Sequence, residues 1–201
     1  GVIAEIRRSE TAMEVVEAMH DFPVIIQELF QAGTKSPVLR QFIGHSHDTC
    51  TTRFIEITIN ELGDPPVSFC WVALGSNARH EMTLFSDQDN ALIYQEPPSG
   101  EEVAAQSYFL KLAKVVSSRL QQCGFPFCPG GIMAWNPERC LSVEAWKDAF
   151  NGWIQAATPD SVLELNVFLD MKPLFGDAEL AHAVLNAATD TVQQQPQFFN
   201  H

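Results

Sequence analysis

The apolar positions of the chain change their period twice. From Ser9 to about Ala32, Met13, Val16, Met19, Ile26, Leu29 and Phe30 recur at helical spacing. Pro23 predicts a break or kink within this stretch, and Gly33 its end. A second helix is expected over Ser36 to Leu62, with Val38, Phe42, Ile55, Ile59 and Leu62 as its stripe and Gly63-Asp64-Pro65-Pro66 as its stop. Then the period disappears. Val67 to Leu74 is an unbroken run of apolar and β-forming residues ending at Gly75, which predicts a buried strand. Ser76 to about Leu84 reads as a short helix, Asn90 to Tyr94 as a second strand, and Pro97 to Gly100 as a turn. Helical spacing returns from Glu101 to Gln122, with Val103, Phe109, Leu112, Ala113 and Val116 on the buried side. Cys123 to Asn136 is a loop rich in proline and glycine that leads into Ile132 to Trp135, a candidate third strand. Ser142 caps a helix with Ala145 to Ile154 as its body, and Ser161 to Met171 and Asp177 to Gln194 are helical. No internal repeat interrupts this plan.

The pattern predicts an α+β chain: helices, a small sheet between about 67 and 136, then more helices. A composition shift near Leu141 divides it into residues 1–140 and a helical part, 141–201. A sheet of two or three strands cannot bury both of its faces alone. The 101–122 helix is expected on one face. The later helices, with Trp146, Phe150, Trp153, Leu163 and Leu165, are expected on the other, walling a cleft. Trp135, Trp146 and Trp153 are core candidates. The Gln193-Gln194-Gln195-Pro196 run is expected to be a solvated helix end.

Charge narrows the partners. The 201 residues carry a formal net charge of −13, which repels phosphate backbones and argues against broad nucleic-acid binding. A local nucleotide site is compatible with it, because a bound divalent cation inverts the field. The five cysteines are too few and too irregularly spaced for a disulfide framework or a zinc knuckle and read as free thiols. With no signal pattern and no membrane-length apolar run, the expectation is a cytoplasmic protein without a membrane partner. A start at Gly1 without methionine suggests an excised segment of a longer chain.

The chemistry concentrates between Leu74 and Ile93. A strand ending in Gly75-Ser76 and turning into a helix presents free backbone N–H groups to phosphate oxygens, and glycine permits close approach. Asp87 and Asp89, two apart, point to the same side of an extended chain. Such carboxylates repel one another unless a cation lies between them, and Mg²⁺ takes a few carboxylates plus phosphate oxygens. Arg79 suits a phosphate, or a pairing with Glu81 or Asp87 that holds the turn. His45-x-His47 reads as a surface turn rather than a metal site.

This window resembles the nucleotidyltransferase superfamily signature, a Gly-Ser turn followed by Asp-x-Asp. It is most similar to the nucleotidyltransferase domain found downstream of CBS and cyclic-nucleotide-binding domains in bacteria, a family related to the PII uridylyltransferase. Gly75, Ser76, Arg79, Glu81, Asp87, Gln88, Asp89, Asn90, Leu92 and Ile93 occupy the positions of its core motif. Cys128 to Ala134 resembles a second block of that family, and Phe168-Leu169-Asp170 with Gly176-Asp177 a third. His80, Asn77 and Lys172 depart from its usual residues.

The resemblance implies a nucleotidyltransferase-type mixed sheet and a helical substrate-binding region after 141, truncated here. It implies nucleotide contacts at Gly75, Ser76 and Arg79, and Mg²⁺ or Mn²⁺ on Asp87 and Asp89. A third catalytic carboxylate is expected from Asp170, or failing that Glu138, because the candidate strand 132–135 carries none. The implied reaction moves a nucleotidyl group from a nucleoside triphosphate to an acceptor hydroxyl, on a protein by analogy with the uridylyltransferase, under an upstream regulatory domain. Two other readings stay open: a non-catalytic nucleotide-binding sensor, and a structural interaction module.

Overall fold

A computed structural model describes residues 1–193 and shows an α+β chain whose helices flank a four-stranded sheet. The Gln194-Gln195-Pro196 run lies outside the described residues. Three short helices come first: α1 (Val2–Arg8), α2 (Ala12–Ala18) and α3 (Phe22–Gln31). The stretch from Ser9 to Ala32 is thus two helices, with the expected break near Pro23. Pro23 sits in the first turn of α3, the one place where its missing N–H costs nothing, so the chain stops and restarts there rather than kinking. Helix α1 lies upstream of the expected start.

Helix α4 (Ser36–Leu62) has the expected bounds but is buried on more than one side. Ser46, Thr51 and Thr58 are buried and bond back to Phe42, His47 and Phe54 carbonyls at 2.9, 2.8 and 2.6 Å. That self-satisfaction lets polar residues enter a core helix. The expected surface turn at His45 and His47 is corrected here: both lie within α4, and His47 is buried.

Strands β1 (Phe69–Ala73) and β2 (Asn90–Tyr94) pair antiparallel, with Phe69 opposite Tyr94 and Ala73 opposite Asn90. The other two strands come from later in the chain. β3 (Cys140–Ser142) lies parallel to β2, and β4 (Lys172–Gly176) lies antiparallel to β1, giving the order β3-β2-β1-β4. Ile132 to Trp135 is not a strand. Asn90 captures it twice, its N–H donating to the Ile132 carbonyl at 3.1 Å and its Oδ1 accepting from Ala134 N–H at 2.8 Å. Trp135 is 38% exposed rather than core.

Every residue of β1 and β2 is buried, because both sheet faces are covered. Phe69, Trp71, Leu92 and Tyr94 face α4 and α6 (Glu102–Gln122). Cys70, Val72, Ala91 and Ile93 face α7 (Val143–Ala156), α8 (Pro159–Leu169) and α9 (Ala178–Gln193). Trp146 is wholly buried there, and its indole N–H donates to the Leu92 carbonyl at 3.0 Å. Each such large side chain stabilises by about 1.5–3 kcal/mol on burial. Among the described residues no helix is long and apolar enough to cross a membrane.

Candidate metal and nucleotide site

Pairing of β1 with β2 brings the two halves of the motif together. Beyond Ala73 and Asn90 the ladder gains one more bond, Leu74 N–H to the Asp89 carbonyl at 2.9 Å. The next residue, Gly75, has φ +55°. A Cβ there would collide with the Asp89 carboxylate and come within 3.2 Å of its Cγ, so both the conformation and the contact demand glycine. Gly75 opens α5 (Gly75–Ala78), a single turn. The expected helix to Leu84 is absent. His80, at φ +59°, ends the helical turn, and the chain continues as a loop fastened by Thr83 N–H to Ser86 Oγ at 2.9 Å.

The Asp-x-Asp segment is oriented by the residue between its acids. Gln88 is fully buried. Its backbone N–H donates to the Pro126 carbonyl at 2.8 Å, and its amide donates to the Ser117 and Phe125 carbonyls at 3.0 and 2.8 Å. Alternation along the extended chain then sends Asp87 and Asp89 the other way. Their carboxylates and the Cys128 thiol offer donor atoms that all lie within 4.8 Å of one another. Burial pushes the Asp89 pKa up; Cys128 lowers it, Asp87 raises it further, and Arg79 works against the rise. Two hard oxygen donors side by side, with the ionisation of Asp89 opposed by burial and by its acidic neighbour, fit a divalent cation, which would relieve both. Burial likewise pushes the Cys128 thiol up, opposed by the Ile132 N–H and reinforced by Asp89.

Arg79 is half-exposed beside this cluster. Its Nε donates to Glu81 Oε2 at 3.0 Å and its Nη1 to Asp170 Oδ2 at 3.5 Å. Glu81, with Asp170 behind it, raises the pKa of the guanidinium. Asp170 and Glu138 are both outside the group of three donors; Glu138 is exposed on a 3-10 turn, Pro137–Arg139.

Behind the Gly75-Ser76 turn lies a second polar cluster that sequence reasoning missed. Asn77 is buried; its amide nitrogen donates to Asp48 Oδ1 at 2.9 Å and lies 3.1 Å from His47 Nδ1. Lys172 Nζ donates to Asp48 Oδ2 at 2.9 Å and to the Asn77 carbonyl at 3.4 Å. Burial opposes ionisation of Asp48, but hydrogen bonds from His47, Lys172 and Asn77 outweigh it and hold its pKa down to about 2. The one signal available beforehand was that Asn77 and Lys172 both depart from the motif's usual residues.

The family described as "Putative nucleotidyltransferase DUF294" matches residues 20–160. The chain belongs to this family. The matched region contains Gly75, Ser76, Arg79, Asp87, Asp89 and Cys128, and stops short of Asp170 and Lys172. No curated protein matches the chain. Membership in the nucleotidyltransferase family implies a nucleotide substrate, and such families are typically metal-dependent, in keeping with the acidic pair.

Proposed function

We propose that this chain is a metal-dependent nucleotidyltransferase that moves a nucleotidyl group from a nucleoside triphosphate to an acceptor hydroxyl. The observation that carries the reading is the packing of Asp89 against Gly75. It puts the Asp89 carboxylate, with Asp87 beside it, directly against the side-chain-free turn. Asp87 and Asp89 would hold Mg²⁺ or Mn²⁺, which supplies charge neutralisation for the triphosphate and its leaving pyrophosphate. Gly75 and Ser76 receive phosphate oxygens on backbone N–H groups and a hydroxyl. Arg79, steered by Glu81 and Asp170, adds a cation at the rim. In this reading Asp170 acts through Arg79 until a cation draws it inward as a third carboxylate.

The acceptor in this proposal is a protein hydroxyl, because a chain of net charge −13 disfavours a polynucleotide. The segment after Leu141 forms the acceptor-facing wall, and an upstream regulatory domain in a cytoplasmic protein controls access. A second reading, a non-catalytic nucleotide sensor, draws support from the same Asp170 contact, since that acid is engaged by Arg79 rather than by the acidic pair. Incubation with each nucleoside triphosphate, Mg²⁺ and cell-extract proteins as the source of acceptor hydroxyls separates the two. Pyrophosphate release that vanishes in Asp87→Asn supports the transferase, whereas saturable binding without turnover supports the sensor.

A further inference from the structure

Of the five cysteines, Cys50, Cys70 and Cys140 are buried in the packed interior, whereas Cys128 stands half-buried beside two carboxylates. Its position is not that of a loose loop residue. The segment carrying it is tied to β2 by Gln88 N–H to Pro126 O, Gln88 amide to Phe125 O, Asn90 N–H to Ile132 O and Ala134 N–H to Asn90 Oδ1, all between 2.8 and 3.1 Å. The residues that alternate with Asp87 and Asp89 therefore also deliver the sulfur.

We infer that Cys128 is a third protein ligand of the cation at Asp87 and Asp89, so that the centre binds a borderline or soft ion such as Zn²⁺ or Cd²⁺ more tightly than Mg²⁺. The inference rests on the reading of Asp87 and Asp89 as the metal pair. Two observations of separate origin meet in it: the convergence of three donors within 4.8 Å, and a match over this region to a nucleotidyltransferase family, a class that is typically metal-dependent. Zinc ligands lie about 2.0–2.3 Å from the ion, so donors sharing one tetrahedral ion are about 3.5 Å apart, against separations of no more than 4.8 Å among the three donors here. Mg²⁺ is hard and gains nothing from sulfur, so it uses the two carboxylates and phosphate oxygens alone. A softer ion uses all three donors, the thiol proton leaving to water as the metal–sulfur bond forms.

Cadmium is the probe, because its bond to a thiolate produces an ultraviolet charge-transfer band. Titrating the chain with CdCl₂ should develop that band to saturation at one equivalent. Cys128→Ser should abolish it and weaken Cd²⁺ and Zn²⁺ at least tenfold, while Mg²⁺ affinity by calorimetry shifts less than twofold. Cys123→Ser should leave the band in place. Cys128→Asp, which makes the donor set all-oxygen, should reverse the preference toward Mg²⁺, and it carries the test if the serine variant folds poorly. A folded Cys128→Ser that keeps the band and its Zn²⁺ affinity overturns the inference, leaving Cys128 as a neighbour of Asp89 only. Unchanged binding of both Mg²⁺ and Cd²⁺ in Asp87→Asn/Asp89→Asn would instead remove the metal-pair reading itself.

Discussion

Two acidic clusters flank the same glycine-serine turn, and they are built oppositely. Behind it, Asp48 has Lys172 at 2.9 Å and the Asn77 amide at 2.9 Å, and its carboxyl is held down to about 2. In front, Asp89 has a second carboxylate and a thiol as neighbours, and its pKa is raised, mainly by burial. The rear cluster carries its own counter-charge; it braces the turn. The front cluster gathers negative charge, and Arg79 beside it donates its hydrogen bonds to Glu81 and Asp170 instead, so the pair is costly for folding and useful only if something arrives to neutralise it. Acidic residues at equal distance from a motif therefore divide into structure and chemistry by whether the fold supplies their partner.

The largest effect should come from emptying the front cluster. Asp87→Ala/Asp89→Ala should lower Mg²⁺-dependent nucleotide affinity by roughly two orders of magnitude, about 3 kcal/mol. Without metal it should melt no lower than the parent, because a repulsion has been removed. Calorimetry and thermal melts read both halves of this expectation. If the double variant binds Mg²⁺-nucleotide like the parent, the contrast between the clusters collapses.

Gly75→Ala attacks the boundary between them. The new methyl meets the Asp89 carboxylate in a backbone conformation that disfavours side chains, costing roughly 1–3 kcal/mol of stability. Nucleotide affinity should fall about tenfold or more, since the phosphate approach and the Asp89 position are lost together. A folded variant with parental affinity would dissociate Gly75 from phosphate binding.

Lys172→Met tests the rear cluster. It leaves Asp48 largely enclosed without its cation, and unfolding by denaturant should show a loss of roughly 1–3 kcal/mol, less than for a fully buried pair because Asp48 and Lys172 are 20% and 24% exposed. Mg²⁺ affinity at the front should stay within a few-fold. Equal damage to both would mean that the clusters act as one.

The smallest effect is in acid. Asp48 has a folded pKa of about 2 against an ordinary value of 3.8. Its contribution is thus fully present above about pH 4 and is lost as pH falls through 2, about 2–2.5 kcal/mol in all. Asp48→Asn should flatten the stability profile over that interval while lowering stability at neutral pH. A profile as steep as the parent's would place the acid sensitivity elsewhere.

How much of this was legible follows from where the information lies. The bounds of α4 and the two motif strands were readable because long apolar runs and proline-glycine stops are local signals. Strand β4 was not. It holds Pro173 and Gly176, which weaken a strand signal, and its partner Trp71 is far away in sequence. The Asp87/Asp89 pair was visible from its spacing alone. Cys128 lies in a block that resembles the family, yet by sequence it is one more free thiol, since only the folded loop brings it to Asp89. Lys172 stood out as a departure from the motif, but its ion pair with Asp48 was invisible for the same reason, since it joins α4 to β4.

The strand order β3-β2-β1-β4 also sets a timetable. β1 and β2 are made close together and can pair early, but the outer edge of β1 waits for β4, whose pairing of Trp71 with Phe175 closes a very long loop. Until then an apolar strand edge is open, a template for joining other chains. Lys172 arrives on that same late strand, so the brace behind the glycine-serine turn comes into being only in the last step of sheet assembly. A nascent chain halted before Gly176 would carry every residue of the motif and still lack a finished turn to receive a nucleotide.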